Sequence, residues 1–285
     1  MFPRRQRTYS PVRMELTVEK MTTANDQDNA GDDAQNSEKK TGLDKKTGTV
    51  FIEVPATLRL PEITLLSDKI GSLRPGDVAV LRGSAETFCA GMDLNLAAHQ
   101  DSSLLQSGLR AYADLLLTVR TCPCVVIALV EGGAFGGGVG LAAACDLVLA
   151  SSQARFGLPE ALHSFYPAIV FAVLQERLAP QKARRLALLC ESIDAAEAKQ
   201  LGLVDLWCEE SMVNPVLQRQ IRKLQRATPL GVAAIKRHPA HVQTLRAALE
   251  EATQVSLNAM LAPEVSDALA ALASAHITPA RETEA

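Results

Sequence analysis

Three short stretches carry residues able to do chemistry. Residues 131–151, EGGAFGGGVGLAAACDLVLAS, place six glycines in their first ten positions and then turn apolar. Residues 88–96, FCAGMDLNL, bring Gly91 into a turn with Met92 directly after it. Residues 154–160, ARFGLPE, end on a carboxylate, Glu160. Glycines leave backbone N–H groups open to a ligand. The first stretch could therefore cradle a phosphate, hold an oxygen that becomes negative, or form a tight packed turn.

The phosphate templates fail. No window of 131–141 reads G-x-G-x-x-G, and Val139-Gly140-Leu141 stands where a phosphate loop needs G-K-[ST]. A packed turn stays open. An oxyanion hole fits the pattern better. Glycines that start an apolar helix leave first-turn N–H groups without intrahelical partners, and the helix dipole adds positive potential there. Such a hole needs a second donor, which the turn at Gly91 and Met92 can supply.

The elements around these stretches must position them. DVAVLRG (77–83), CVVIALVEG (124–132) and DLVLAS (146–151) read as buried strands, with TVFIEVP (49–55) as a further candidate. Leu105, Leu109, Tyr112, Leu116 and Val119 recur at helical spacing over 102–123, where Pro123 ends the helix. A second helix starts in the glycines and runs through LAAAC. Helices are expected over 181–190, 194–201, 211–227, 230–237 and 240–274. The class is α/β with a helical appendage.

Composition narrows the function. The 285 residues are 47% hydrophobic with a net charge of −3, so nothing calls for nucleic acid, and no apolar run is long enough for a membrane span. Residues 21–48 are polar and nearly free of large apolar side chains. The expected division is a flexible segment over 1–48, with a strand at 14–20, a core over 49–205 and a helical region over 206–285. The basic N-terminus lacks an apolar stretch, which fits a cytoplasmic protein. The six cysteines read as buried and reduced, and the five histidines show no metal-ligand spacing. Neither Cys89 nor Cys145 has a basic partner in the sequence, while Asp93 and Asp146 suit loop capping.

In order and spacing, FCAGMD, GGAFGGGVGLAAACDLVLAS and ARFGLPE resemble the crotonase (enoyl-CoA hydratase/isomerase) superfamily over roughly residues 49–260, and SIDAAEAKQLGLVD (192–205) resembles the start of its C-terminal helices. The resemblance implies a spiral of ββα units with a C-terminal helical trimerisation region, as a homotrimer or a dimer of trimers. It implies that the N–H groups of Met92 and Gly137 hold a thioester carbonyl oxygen as it becomes an enolate, with Gly91, Gly136 and Gly140 at the substrate. No metal or redox cofactor is implied. The acyl group arrives on the phosphopantetheine of an acyl carrier protein or on CoA.

Two departures from the family pattern refine this. Family hydratases carry two glutamates; Glu160 stands at one position and Gly140 at the other. One carboxylate could remove the proton beside the thioester and then protonate a leaving hydroxyl on the same face. The glycine suits a substrate with its own carboxylate, and leaves room for a branched acyl chain. Second, PATLRLPEITLL (55–66) lacks the usual adenine-clasping pattern, which favours a carrier protein, with Lys182, Arg184, Arg185, Lys236 and Arg237 as candidate docking residues. The stretch from LHSFYPA resembles the dehydrating crotonases of polyketide β-branching cassettes, which implies dehydration of a 3-hydroxy-3-methylglutaryl thioester to the 3-methylglutaconyl thioester. A CoA-dependent hydratase or isomerase, a decarboxylase of the same cassette and an inert binding subunit are the alternatives. His163 and Tyr166 follow Glu160 closely. His163 would assist the leaving hydroxyl or bind the distal carboxylate, Tyr166 would line the substrate, and a packing role is open for both.

Overall fold

Parallel strands need crossovers, and here most crossovers carry a strand of a second sheet as well as a helix. The computed structural model describes residues 43–44, 48–93 and 102–265. The expected strand at 14–20, residues 94–96 of the FCAGMDLNL stretch and the last residues of the helix expected to 274 lie outside them.

The chain opens with β1 (Leu43–Asp44), β2 (Thr49–Glu53) and α1 (Leu60–Gly71). Three units follow. The first is β3 (Val78–Arg82), β4 (Thr87–Cys89) and α2 (Ser102–Thr121). The second is β5 (Val125–Val130), β6 (Gly133–Phe135) and α3 (Gly137–Ala144). The third is β7 (Leu147–Ser151), β8 (Arg155–Gly157), a 3-10 turn (Pro159–His163) and α4 (Ala168–Leu174). Then come α5 (Pro180–Leu189), β9 (Ile193–Asp194), α6 (Ala195–Leu201), β10 (Leu206–Cys208), α7 (Val213–Leu224), α8 (Pro229–Lys236) and α9 (Pro239–Met260).

In each unit the first strand joins one sheet and the second strand joins the other. The six-stranded sheet has the order β1-β2-β3-β5-β7-β10, and the four-stranded sheet β4-β6-β8-β9. Neighbours are parallel except β1 with β2 and β8 with β9. This is the ββα spiral that the family resemblance implied.

Both faces of the larger sheet are covered, so its strands read as unbroken apolar runs. Val78, Val80, Ile127, Leu129 and Leu149 pack under Val213, Leu217 and Ile221 of α7. Alternate residues, among them Ala79, Leu81, Val126, Ala128 and Val130, face the main core with α2 and α3. Four cysteines, Cys89, Cys122, Cys124 and Cys145, are buried and free. No helix among the described residues is long and apolar enough to cross a membrane.

Three elements differ from expectation. The helical region assigned from residue 206 begins with β10, which pairs parallel with β7 and extends the larger sheet. Three residues are too few to display a period. Residues 60–71 form a helix whose Ile63, Leu66 and Ile70 are buried at helical spacing, although the 55–66 stretch carries no expected element. The run AIVFAVL of α4 is apolar on nearly every side, which hides the 3.6 period.

Candidate active site

Two turns at the same end of the smaller sheet build the donor pair. β4 ends at Cys89 and the chain turns at Gly91 (φ 99°); its parallel neighbour β6 ends at Phe135 and turns at Gly136 (φ 51°) into α3. The turns meet so closely that a Cβ on Gly91 would stand 2.8 Å from the Gly137 nitrogen and 3.0 Å from the Phe135 oxygen. Only glycine combines that φ with that approach. A Cβ on Gly137 would in turn lie 3.3 Å from the Met92 nitrogen, which brings the two expected donors together.

Neighbouring backbone groups are paired: Leu58 N–H donates to the Gly91 oxygen (2.8 Å), Asp93 N–H to the Leu58 oxygen (3.0 Å) and Gly136 N–H to the Gly157 oxygen (3.0 Å). The N–H groups of Met92 and Gly137 have no acceptor among the described residues. Both residues are partly exposed. Gly91 N–H also contacts the Cys89 sulfur (3.4 Å), and burial pushes that thiol up to about 11, which suits packing rather than attack.

The far end of α3 is held by Arg177, whose guanidinium donates to the carbonyls of Ala143 (2.8 Å) and Cys145 (2.5 Å) and pairs with Asp205 (2.9 Å). A cation there satisfies the last carbonyls and complements the dipole. The opposite, positive end of α3 begins with Gly137, one of the two donors.

Glu160 sits second in the 3-10 turn that follows β8, and β8 is the parallel neighbour of β6. Its Oε1 would be 2.9 Å from a Cβ on Gly136, so the carboxylate rests on bare backbone at the start of α3. The residue as a whole is partly exposed, but Oε2 is buried and lacks a hydrogen-bond partner among the described residues. Burial pushes the carboxyl up to about 7, partly offset by the Glu160 backbone N–H. A carboxylate so placed can both take and return a proton near neutrality.

The remaining expected residues divide. His163 closes the same 3-10 turn, half-buried; residues three apart in such a turn share a side, and no side-chain hydrogen bond joins it to any described residue. Tyr166 is exposed, stacks at a tilt on Phe171 (5.1 Å), and its phenol is raised by partial burial and lowered by Arg184. The structure gives it no bond to Glu160. Gly140 is buried and leaves no room for a branched acyl chain: the Tyr112 hydroxyl fills the place of its side chain, and Val170 Cγ2 would be 3.2 Å from its Cβ. That expectation is corrected.

Of the candidate docking cations, Lys236 is also corrected. Its side chain is only 5% exposed and pairs with Asp146 (2.5 Å) while donating to the Val119 oxygen (3.0 Å). Arg185 pairs with Glu197, Lys182 donates to the Gln200 oxygen of α6, and Arg184 donates to Gln181 within α5, all in exposed positions. Arg237 donates to the Thr121 oxygen from an exposed position. The loop roles expected of Asp93 and Asp146 are present, with Asp93 paired to Arg59 (2.8 Å) and Asp146 accepting from Val126 N–H (2.8 Å). No group of three or more potential metal ligands occurs among the described residues.

Tyr112 enters the sequence reading only as an apolar position of α2. It is buried and donates to the Gly137 oxygen at 2.5 Å. The available signal was its hydroxyl, which at a buried helical position requires a partner.

Two backbone N–H groups close together, beside a carboxylate with one buried, unpartnered oxygen, form an arrangement able to move a proton next to a carbonyl whose oxygen becomes negative. The family model for enoyl-CoA hydratase/isomerase matches residues 73–271, and the chain belongs to that family. It is 34% identical over 162 residues to the bacillaene synthase dehydratase PksH of Bacillus subtilis (strain 168), an alignment that covers 56% of this chain and 61% of that protein. It is also 34% identical over 189 residues to the 2,3-dehydroadipyl-CoA hydratase of Escherichia coli (strain K12), covering 66% of this chain and 69% of that one. The chain thus spans less than two thirds of the first of these relatives. The crystal structure of pksH from Bacillus subtilis superposes with a TM-score of 0.72 over 85% of this chain and 100% of that chain at 23% identity, which shows the shared fold.

Proposed function

We propose that this protein is a hydro-lyase that dehydrates a 3-hydroxy-3-methylglutaryl thioester on acyl carrier protein to the 3-methylglutaconyl thioester. The observation that carries this reading is the Glu160 carboxylate, with its buried, unpartnered Oε2, beside the Met92 and Gly137 donors, with the space beside Gly140 filled by Tyr112. Glu160 removes the proton on the carbon next to the thioester carbonyl. The two N–H groups hold the enolate oxygen; one such donor is typically worth about 3–4 kcal/mol. The enolate electrons then form the C=C bond as the C3–O bond breaks. Glu160 returns its proton to the departing hydroxyl, which leaves as water, and His163, three residues on in the same turn, assists. Without a second carboxylate the site does not repel a substrate that carries its own.

The similarity to a protein named a dehydratase of bacillaene synthase supports the carrier-linked reading. The longer alignment with a CoA-thioester hydratase supports a second one, in which the same site acts on CoA thioesters. Offering the hydroxyacyl group on carrier protein and on CoA side by side, and following absorbance of the conjugated product, separates them. Faster turnover on the carrier protein is expected. Equal or faster turnover on CoA favours the second reading. We further propose that copies meet through α8, where Leu230 and Ile235 are 81% and 79% exposed, in a trimer or dimer of trimers.

A further inference from the structure

Gly136, Gly137 and Gly138 are three consecutive glycines, yet Gly137 must aim its N–H at one point in space. Something outside the glycines has to hold them. Tyr112 is buried on α2, and its phenol crosses to the first turn of α3. The hydroxyl donates to the Gly137 carbonyl at 2.5 Å, and the ring carbon Cζ would be 3.4 Å from a Cβ on Gly137. The same hydroxyl occupies the place a side chain on Gly140 would take. Burial keeps the phenol protonated, with Cys89 and Glu160 as nearby groups that act in the same direction. It is therefore a donor throughout the neutral range.

We propose that Tyr112 is a positioning residue of this active site. By holding the Gly137 carbonyl it fixes the residue whose N–H faces the thioester oxygen, and by filling the space beside Gly140 it restricts the site to one-carboxylate chemistry. This rests on the dehydratase reading above. Tyr112 touches the reacting atoms only through Gly137, so its loss acts on the rate of enolate formation rather than on substrate affinity.

Two variants test it. Tyr112→Phe keeps the ring and removes the tether. Its kcat is expected to fall about tenfold or more, with KM within about threefold and Tm nearly unchanged, because one donor of the hole is misdirected. Gly140→Ala, made in both backgrounds, reads the steric claim without any activity assay. Its loss of Tm is expected to be large in the parent and much smaller in Tyr112→Phe, where the methyl gains the space the hydroxyl left. An active parent with an equally active Tyr112→Phe variant overturns the inference alone. So does a kcat loss that merely follows a loss of Tm, or an equal Gly140→Ala cost in both backgrounds. A parent that converts no thioester on either carrier overturns the dehydratase reading and this inference with it.

Discussion

The Glu160 carboxylate and Gly136 are in contact: a Cβ at Gly136 would lie 2.9 Å from Oε1. The proposed base therefore rests against the turn that starts the donor helix, where Gly136 has φ 51°. Gly136→Ala should displace the carboxylate and strain the backbone at once. We expect a stability loss of about 1–3 kcal/mol and a kcat lower by more than about tenfold, measured by chemical denaturation and steady-state kinetics.

The pH profile follows from Glu160. Its carboxyl is pushed up to about 7 by burial, so the ionised base is lost below neutrality. The kcat/KM of the free enzyme should fall about tenfold per pH unit below about 7, rather than below the ordinary carboxylate range near 4.5. An acid limb that begins near 4.5 would detach Glu160 from the rate-limiting chemistry.

Stability should move the other way. A carboxyl whose proton affinity rises on folding favours the folded state below its unfolded pKa, and that contribution disappears as the pH climbs to the folded value. Glu160→Gln avoids burying the charge. It should be more stable than the parent above pH 7, by at most about 3 kcal/mol, with the advantage shrinking toward pH 4.5. Urea titrations at several pH values read this directly.

Lys236 and Asp146 give a stability prediction remote from the reaction. The pair is largely buried, and Asp146 also accepts from Val126 N–H, so α8 is tied to the starts of β5 and β7. Lys236→Met leaves a largely buried carboxylate without its cation and should cost about 3–5 kcal/mol, with kcat preserved in whatever fraction remains folded. A change below about 1 kcal/mol would mean that the pair is solvated.

The exposed Leu230 and Ile235 predict an assembly. Ile235→Glu together with Leu230→Glu should lower the molar mass seen by light scattering, because two charges would be placed in an apolar contact. An unchanged mass would place the subunit contact elsewhere.

Each part of this site was legible as a short local motif. The Gly91-Met92 turn, the Gly136-Gly137 turn and Glu160 each follow a strand of one sheet, and it was the resemblance of their motifs to the crotonase superfamily that implied their proximity. The strands and the helix at 137–144 were likewise legible, as apolar runs punctuated by glycine. Tyr112 was not, since its partner lies 25 residues away on another helix and the helical period marks it only as buried. The closure of Gly140 depends on that same long-range contact. Lys236 read as a surface cation because nothing nearby in sequence shows that Asp146, 90 residues earlier, awaits it. β10 was too short to announce itself beside the helices that follow.

Mass spectrometry of a 3-hydroxy-3-methylglutaryl group on carrier protein, before and after incubation, tests the central claim most directly. The parent protein should remove one molecule of water, and Glu160→Gln should slow that loss by about 10²–10⁴-fold. Loss of carbon dioxide instead of water, an unchanged acyl group, or dehydration by Glu160→Gln at the parent rate would contradict the account.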